Sequence, residues 1–593
     1  MATSIAFDQN INPPPGVPRK TFAEVVYSFT EPESKEGGVT LFPPANAFSR
    51  QRQVLNDIIH MSAPVATLEP GNWRLDGSFI MPVLPHVQAS LEFGWWSRAM
   101  SGGDCVFAEP LVISHEFGEE MDFDTLGIVF DTLAGNWCVD FEASFYDWYG
   151  GLLYRERVTG NGAAIANTSR AAMGIKKITI ALFSTNKPHH HARVKELNFG
   201  AHIVYGQDLI QDVSSLYEAD LHGRAIPIPS FGLRIHNGGV YDLLDPESIV
   251  RYFKTRQRFS FRIGLRLPDG TREFVQAGNF FLETWDVTDS HVSFKAAGVL
   301  SLLDRIQYVR NSFEEAAVGE IARAAYHGVD AVLASPPVTP FFGDVTVREA
   351  LAMLAELSCC LVHEDGNNAI RFVDVLAGMP PSSRASFSGM FAVPSVKIAE
   401  YVNAVELAEY TPNTEWRQVA NPELHPGRVE IRFGRPIKGE PEIVLPPGFR
   451  LEDVVSFATR LSANLCGDGP CKVLVYGEAV DFVRSDVTYP APWHNGRQVT
   501  VPCKVDLPCM IVTPGFPAFR EWFLSRKFAL LLMRMEASFA WQQNPAVSVG
   551  SVLDVQVHGS GSRANMRVTR QELRFGGSLA GETRAVSTIA RRL

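Results

Sequence analysis

Residues 258–287 read "RFSFRIGLRLPDG", Thr271, then "REFVQAGNFFLETWDV", and this stretch constrains the chain more than any other. Apolar and polar residues largely alternate on both sides of Pro268-Asp269-Gly270. Such alternation sends successive side chains to opposite faces of an extended strand. Pro presets one turn dihedral and Gly accepts a positive one, so the stretch is two long strands and a tight reversal. Strands of this kind must have their edges paired or hidden. Closing a sheet into a barrel is one way to do so.

Comparable runs fill most of the chain. "LGIVFD" (126–131), "DFEASFYDW" (140–148), "KKITIALFS" (176–184) and "ARVKELNFG" (192–200), punctuated by Gly, Asn, Pro and Ser, predict a β-sandwich over residues 60–198. It is expected to be a carbohydrate-binding-like or interface domain, preceded by an N-terminal extension over 1–59. "GLRIHNGG" (232–239) and "HVSFKAAG" (291–298) complete a first β unit over 199–305. The period then changes. Ser312 with Glu315 has capping-box spacing and opens a predicted helix ending at Gly328; Thr346 with Glu349 opens another through Cys360. Val347, Ala350, Leu351, Leu354 and Leu357 share one face of the second helix. A hairpin about Asp365-Gly366 follows, giving a small α/β insert over 306–392.

Strands return after "GMPPSSRASFSG" (378–389), in "VNAVELAEY" (402–410), "GRVEIRFG" (427–434) and "CKVLVYGEAVDFV" (471–483). An amphipathic helix is predicted at "LEDVVSFATRLSANL" (451–465), and a helix running into a strand at 518–539. These make a second β unit with associated helices over 393–593. The fold class is mainly β and multidomain.

Charge and motifs narrow the function. The net charge is −11 over 593 residues, and no basic cluster exceeds Lys176-Lys177. That excludes a surface built to hold phosphates. The most apolar run, "FALLLM" (528–533), is too short to span a membrane, and the N-terminus has no secretory pattern. The eight cysteines contain no CxxC, and the gaps in "CGDGPC" and "CKVDLPC" suit no common zinc finger, so reduced, buried thiols are expected. GxSxG, HExxH, P-loop and dinucleotide fingerprints are absent. No catalytic residue, metal ligand or cofactor is assigned. In "PHHHAR" (188–193), His189 and His191 would share a strand face, but no third ligand accompanies them; exposed strand histidines are expected.

Trp95 and Trp96 are neighbours in "FGWWSRAMSGGDCVFAEP" (93–110). In a strand they face opposite ways. One is expected in the sandwich core, the other against a neighbouring domain or subunit, where Trp is enriched. Stacking on a glycan is the alternative for the outward ring.

Taken in order, "ATLEPGNWRLDGSFIMP" (66–82), the Trp95-Trp96 phrase and "RVKELNFG" resemble the opening domain of minor structural tail proteins of tailed bacteriophages. "LRIHN" (233–237), "GGVYDLLDPESIVRYFKTRQRFSFRIGL" (238–265), "GNFFLETWDV" (278–287) and "AAGVLSLLD" (296–304) are similar to the first tube-type barrel of phage tail-hub proteins. Residues 346–375 are similar to the small α/β insert of those hubs, and "QQNPAVSVGSVLDVQV" with "RVTRQELRFGGSLAGETRA" resembles their final barrel hairpin. Ser551 departs from the pattern, which has an acidic residue after Gly550. The resemblance implies a β-sandwich plus two tube-type β-barrels, and a non-enzymatic baseplate or tail-tip hub. In such hubs a homotrimer forms a pseudo-sixfold ring closing the hexameric tail tube. It implies distal tail and tail tube proteins, other tail-tip proteins and the tape-measure protein as partners, with DNA passing through without specific binding. The location implied is the virion tail tip, after assembly in the host cytoplasm. A host surface glycan bound by the sandwich is the second reading. A cell-wall hydrolase appended beyond the last hairpin is not expected, since the sequence closes there.

Overall fold

The computed structural model describes residues 4–588 apart from 12–18, 31–37, 56–66 and 71–93, and short breaks at 48, 124, 132–134, 169–172, 246–247, 309–312, 314, 327, 332, 334, 494–499, 508–510 and 559–560. Mainly β in content, it is organised around one sheet of sixteen strands. The alternating run at 258–287 forms strands Arg258–Arg266 and Arg272–Val287, paired antiparallel through the turn at Gly270. Strand His291–Ala297 continues the meander, followed by Ser230–His236 and Ile210–Glu218. On the other side, strand Thr21–Thr30 pairs with Arg258–Arg266. The N-terminal extension therefore contributes a strand to the middle of the sheet.

These six strands enclose aromatic side chains rather than a lumen. Tyr27 stacks on Phe259 at 4.1 Å, and Phe231 on Phe280 at 4.8 Å, with Phe253, Phe261 and Phe294 packed among them. Each fully buried ring adds roughly 1.5–3 kcal/mol. Any channel must therefore lie outside the unit.

A second set of strands, Met535–Trp541, Leu579–Ser587, Arg563–Phe575 and Val552–Gln556, repeats the meander with a long middle strand. Ser383–Ala385 and Ser395–Ile398 flank it. The two units are not separately closed: among the described residues no ladder seals either one. Instead Val213–Glu218 pairs with Arg570–Phe575, so both units share one sheet and one core. At the closing turn Gly550 sits at φ +83°, and the Ser551 hydroxyl donates to the Ser548 carbonyl at 2.5 Å.

The sandwich joins through a single strand. His191–Tyr205 pairs with Trp95–Met100 and Leu126–Phe130 along its first half, and with Thr21–Thr30 along its second. The change of partner falls at Gly200, whose φ of +154° a β-branched residue would not adopt. A five-stranded sheet, Val39–Leu41, Val106–Met121, Ile175–Ser184, Phe141–Tyr146 and Leu152–Val158 in spatial order, packs over it around Phe117, Phe141, Phe145 and Leu182.

The insert holds helices Val318–Ala325 and Val347–Ser358 and a three-stranded sheet. Thr346 and Glu349 form the expected reciprocal cap. The earlier helix starts only at Val318, because Glu315 is left-handed and Ala316 bridges Val338; Ser312 lies outside the described residues. The helix expected at 451–465 is instead two strands, Arg450–Ser456 and Arg460–Cys466. Leu461 and Leu465 satisfy a period of four as well as two, and the burial of Leu461, Ala463 and Leu465 follows the strand period. These strands belong to an arm of separate sheets, built on the antiparallel pair Ala404–Ala420 and Leu474–Pro490, that has its own small core. The helix running into a strand does form, as Phe516–Leu531 followed by Met535–Trp541. Fully buried Lys527 donates to Glu356 at 3.1 Å and ties this helix to the insert.

Insert and first unit are clamped by Glu364. Its carboxylate accepts the Val299 and Leu300 N–H groups at 2.8 and 3.1 Å and the Asn368 amide at 2.7 Å. Burial pushes Glu364 up to about 7, against the pull of those donors. A Cβ at Gly298 would collide with this pinned carboxylate. Gly298→Ala should therefore lower stability by about 1–3 kcal/mol in urea denaturation. An unchanged midpoint would show that the clamp yields freely.

Candidate assembly interface

The tryptophan pair heads strand Trp95–Met100, and both rings are buried, at 0% and 4% exposure. Trp95 enters the sandwich core, stacks near Phe42 and donates to the Pro43 carbonyl at 3.3 Å. Trp96 takes the opposite face, as alternation requires, but that face is covered by the same chain. The Arg193 guanidinium lies 3.7 Å above its ring, His191 packs at its side, and the Ser49 hydroxyl accepts its backbone N–H. Trp96 therefore presents no stacking platform for a sugar.

What lies over Trp96 is a buried ionic cluster that sequence spacing did not reveal. Arg193 pairs with Glu69 and, at 2.7 Å, with Asp131; Lys195 reaches Asp131 at 2.9 Å. Glu69 also accepts the His191 backbone N–H at 3.0 Å. Arg193 and Lys195 alternate along one strand, so both face the cluster, while Asp131 follows the neighbouring strand Leu126–Phe130 and Glu69 comes from a distant turn. Burial alone would raise the Asp131 carboxyl, but Lys195 and Arg193 outweigh it and hold it well below the usual carboxylate range. The buried Arg258–Glu196 pair next to it couples the sandwich strand to the first unit.

His189 and His191 do not share a strand face: His189 is left-handed in the turn before the strand, and His191 is buried rather than exposed. Among the described residues no cluster of His, Cys, Asp and Glu suits a metal ion. Cys138, Cys359, Cys360, Cys471 and Cys503 are buried free thiols, and Cys105 and Cys466 are half-buried; Cys509 lies outside the described residues.

The surface that is open lies at the far end of the sixteen-stranded sheet. Among the described residues strand Ser395–Ile398 pairs only with Met535–Trp541, and all four of its residues are exposed. Ile398 is 64% exposed and Val393 71%, with Phe391 and Val396 beside them. An apolar strand with a bare edge is a template for another chain.

The Asp131 cluster should govern acid stability. A lowered folded value means its stabilisation is present above the unfolded value of 3.8 and lost as pH falls through the folded one. Asp131→Asn takes from buried Lys195 its carboxylate and from Arg193 one of two, and should cost about 3–5 kcal/mol at neutral pH. Urea denaturation followed by tryptophan fluorescence measures it; a loss under about 1 kcal/mol would contradict this role.

No family model matches the chain, and no curated protein matches it. Among solved structures it is similar to a tail protein from Neisseria meningitidis at 9% identity and a TM-score of 0.38, over 65% of this chain and 94% of that one. It is similar to the 43 kDa tail protein of prophage MuSo2 from Shewanella oneidensis at 11% identity and 0.35, over 65% and 95%. A prophage tail protein from Listeria monocytogenes gives 8% identity and 0.32, over 75% and 94%.

Proposed function

We propose that the chain is the structural hub of a phage tail tip. Three copies form a ring that closes the hexameric tail tube, organises the surrounding tail-tip proteins and lets DNA pass without specific binding. The observation that carries this reading is the Val213–Glu218 ladder with Arg570–Phe575, which sets two similar six-stranded units side by side in one chain. Two units per chain and three chains supply six wall segments, the number a sixfold tube presents. A closed ring is also the economical way to join identical subunits.

Three further features support it. The aromatic filling of the first unit leaves a passage only between units around an axis. The scarcity of basic clusters suits a wall along which phosphates slide rather than stick. The bare edge Ser395–Ile398 is an apolar seam for the next copy. The distal tail ring, tube and tape-measure proteins are the partners this reading assigns.

Purified protein should have the solution mass of three 65.5 kDa chains. Val396→Lys with Ile398→Glu should reduce it to one chain, with an unchanged circular dichroism spectrum, since both side chains are exposed. A wild-type monomer would overturn the ring; an intact trimer of the variant would remove this edge from the seam.

A further inference from the structure

The sandwich carries a second aromatic pair, Trp148 and Tyr149, at the tip of the hairpin between strands Phe141–Tyr146 and Leu152–Val158. Tyr149 is 94% exposed and Trp148 55%, and the outermost strand of the sheet starts just beyond them with exposed Leu152 and Leu153 on its opposite faces. Large rings held in water on a tight turn are costly unless something covers them.

The turn is rigid. Asp147 donates its N–H to the Gly151 carbonyl at 2.9 Å and accepts the Gly150 N–H on its own carbonyl at 3.1 Å. Its Oδ1 accepts the Tyr149 and Gly151 N–H groups at 2.9 and 2.7 Å. Gly150 supplies the left-handed step, at φ +79°. One face of Trp148 is occupied: the Lys176 ammonium lies 4.0 Å from the ring centroid, anchored to the Gly118 carbonyl at 2.8 Å. Much of the ring is open, and on the same turn Asp147 Oδ2 takes no hydrogen bond among the described residues.

We infer that this tip is a carbohydrate-binding platform, with Trp148 and Tyr149 stacking on the apolar C–H face of a neutral pyranose in a host surface polysaccharide. The size of the patch favours a sugar over a protein. The two exposed rings offer on the order of 300 Å², against roughly 800 Å² per partner in a stable protein interface. The neighbourhood also offers groups that hydroxyls can use: an acceptor in Asp147 Oδ2 on the turn and a donor in the Lys176 ammonium over Trp148. The pre-set turn spares the ordering cost that weakens small-ligand binding. The inference rests on the hub reading only in taking the sandwich to face outward on the particle.

The test uses the full-length protein, with N-acetylglucosamine and galactose oligosaccharides and a polysaccharide array as probes. Binding is read by saturation-transfer NMR and by array signal, and particle mass is measured on the same samples. Wild type should bind at least one probe. Trp148→Ala and Tyr149→Ala should each weaken binding by about fivefold or more, while Trp148→Phe retains most of it, and none should alter the mass. Absence of binding to every probe, or binding indifferent to both alanine variants, would overturn the platform. So would alanine variants that lose their assembly, since the tip would then be a protein contact. A monomeric wild type that still binds through Trp148 keeps the platform and overturns the hub; a trimer that binds nothing does the reverse.

Discussion

The ladder between Val213–Glu218 and Arg570–Phe575 is the constraint on which the rest depends. The paired segments lie more than 350 residues apart, and everything between them must be arranged so that the two edges meet. Without that ladder each unit would expose a long strand edge to water, which β proteins avoid. With it, the last strands become the continuation of the first unit. The insert and the arm are displaced to the outside as excursions from one sheet.

Around that ladder the chain ties its parts together with buried polar groups. Glu364 holds the insert to the first unit through backbone N–H groups, Lys527 holds the long helix to the insert, and Arg258 with Glu196 couples sandwich to sheet. Arg19 donates to the Gln543 and Leu579 carbonyls of the second unit from just before the central N-terminal strand. Each tie buries a charge, which gains little net stability but is costly to break. Such ties set relative orientation rather than strength. For a wall segment in a ring, orientation is the property that matters, because a small angular error between units prevents closure.

Local signals were legible where one period dominated. The 258–287 hairpin and the Thr346–Glu349 cap are written in the residues, since alternation, Pro-Asp-Gly and capping-box spacing each have one structural outcome. Strand Thr21–Thr30 was not anticipated, since residues 1–59 read only as an extension, and its place in the middle of the sheet depends on partners far along the chain. Residues 451–465 were ambiguous because Leu461 and Leu465 fit both periods. Trp96 shows the deeper limit. Alternation correctly sent it to the other face from Trp95, but nothing local announces that Arg193, His191 and Ser49 cover that face. Trp148 followed the reverse course: it closed the run 140–148 read as a strand, and only the turn geometry shows that it and Tyr149 stand in the open.

The most direct test is a cryo-EM map of the assembled particle viewed along its axis. The account predicts three chains around one open channel, with six β units alternating as first and second unit, and Val213–Glu218 beside Arg570–Phe575 within every chain. A map in which the two units of a chain are separated, or in which they do not line a common channel, would contradict it.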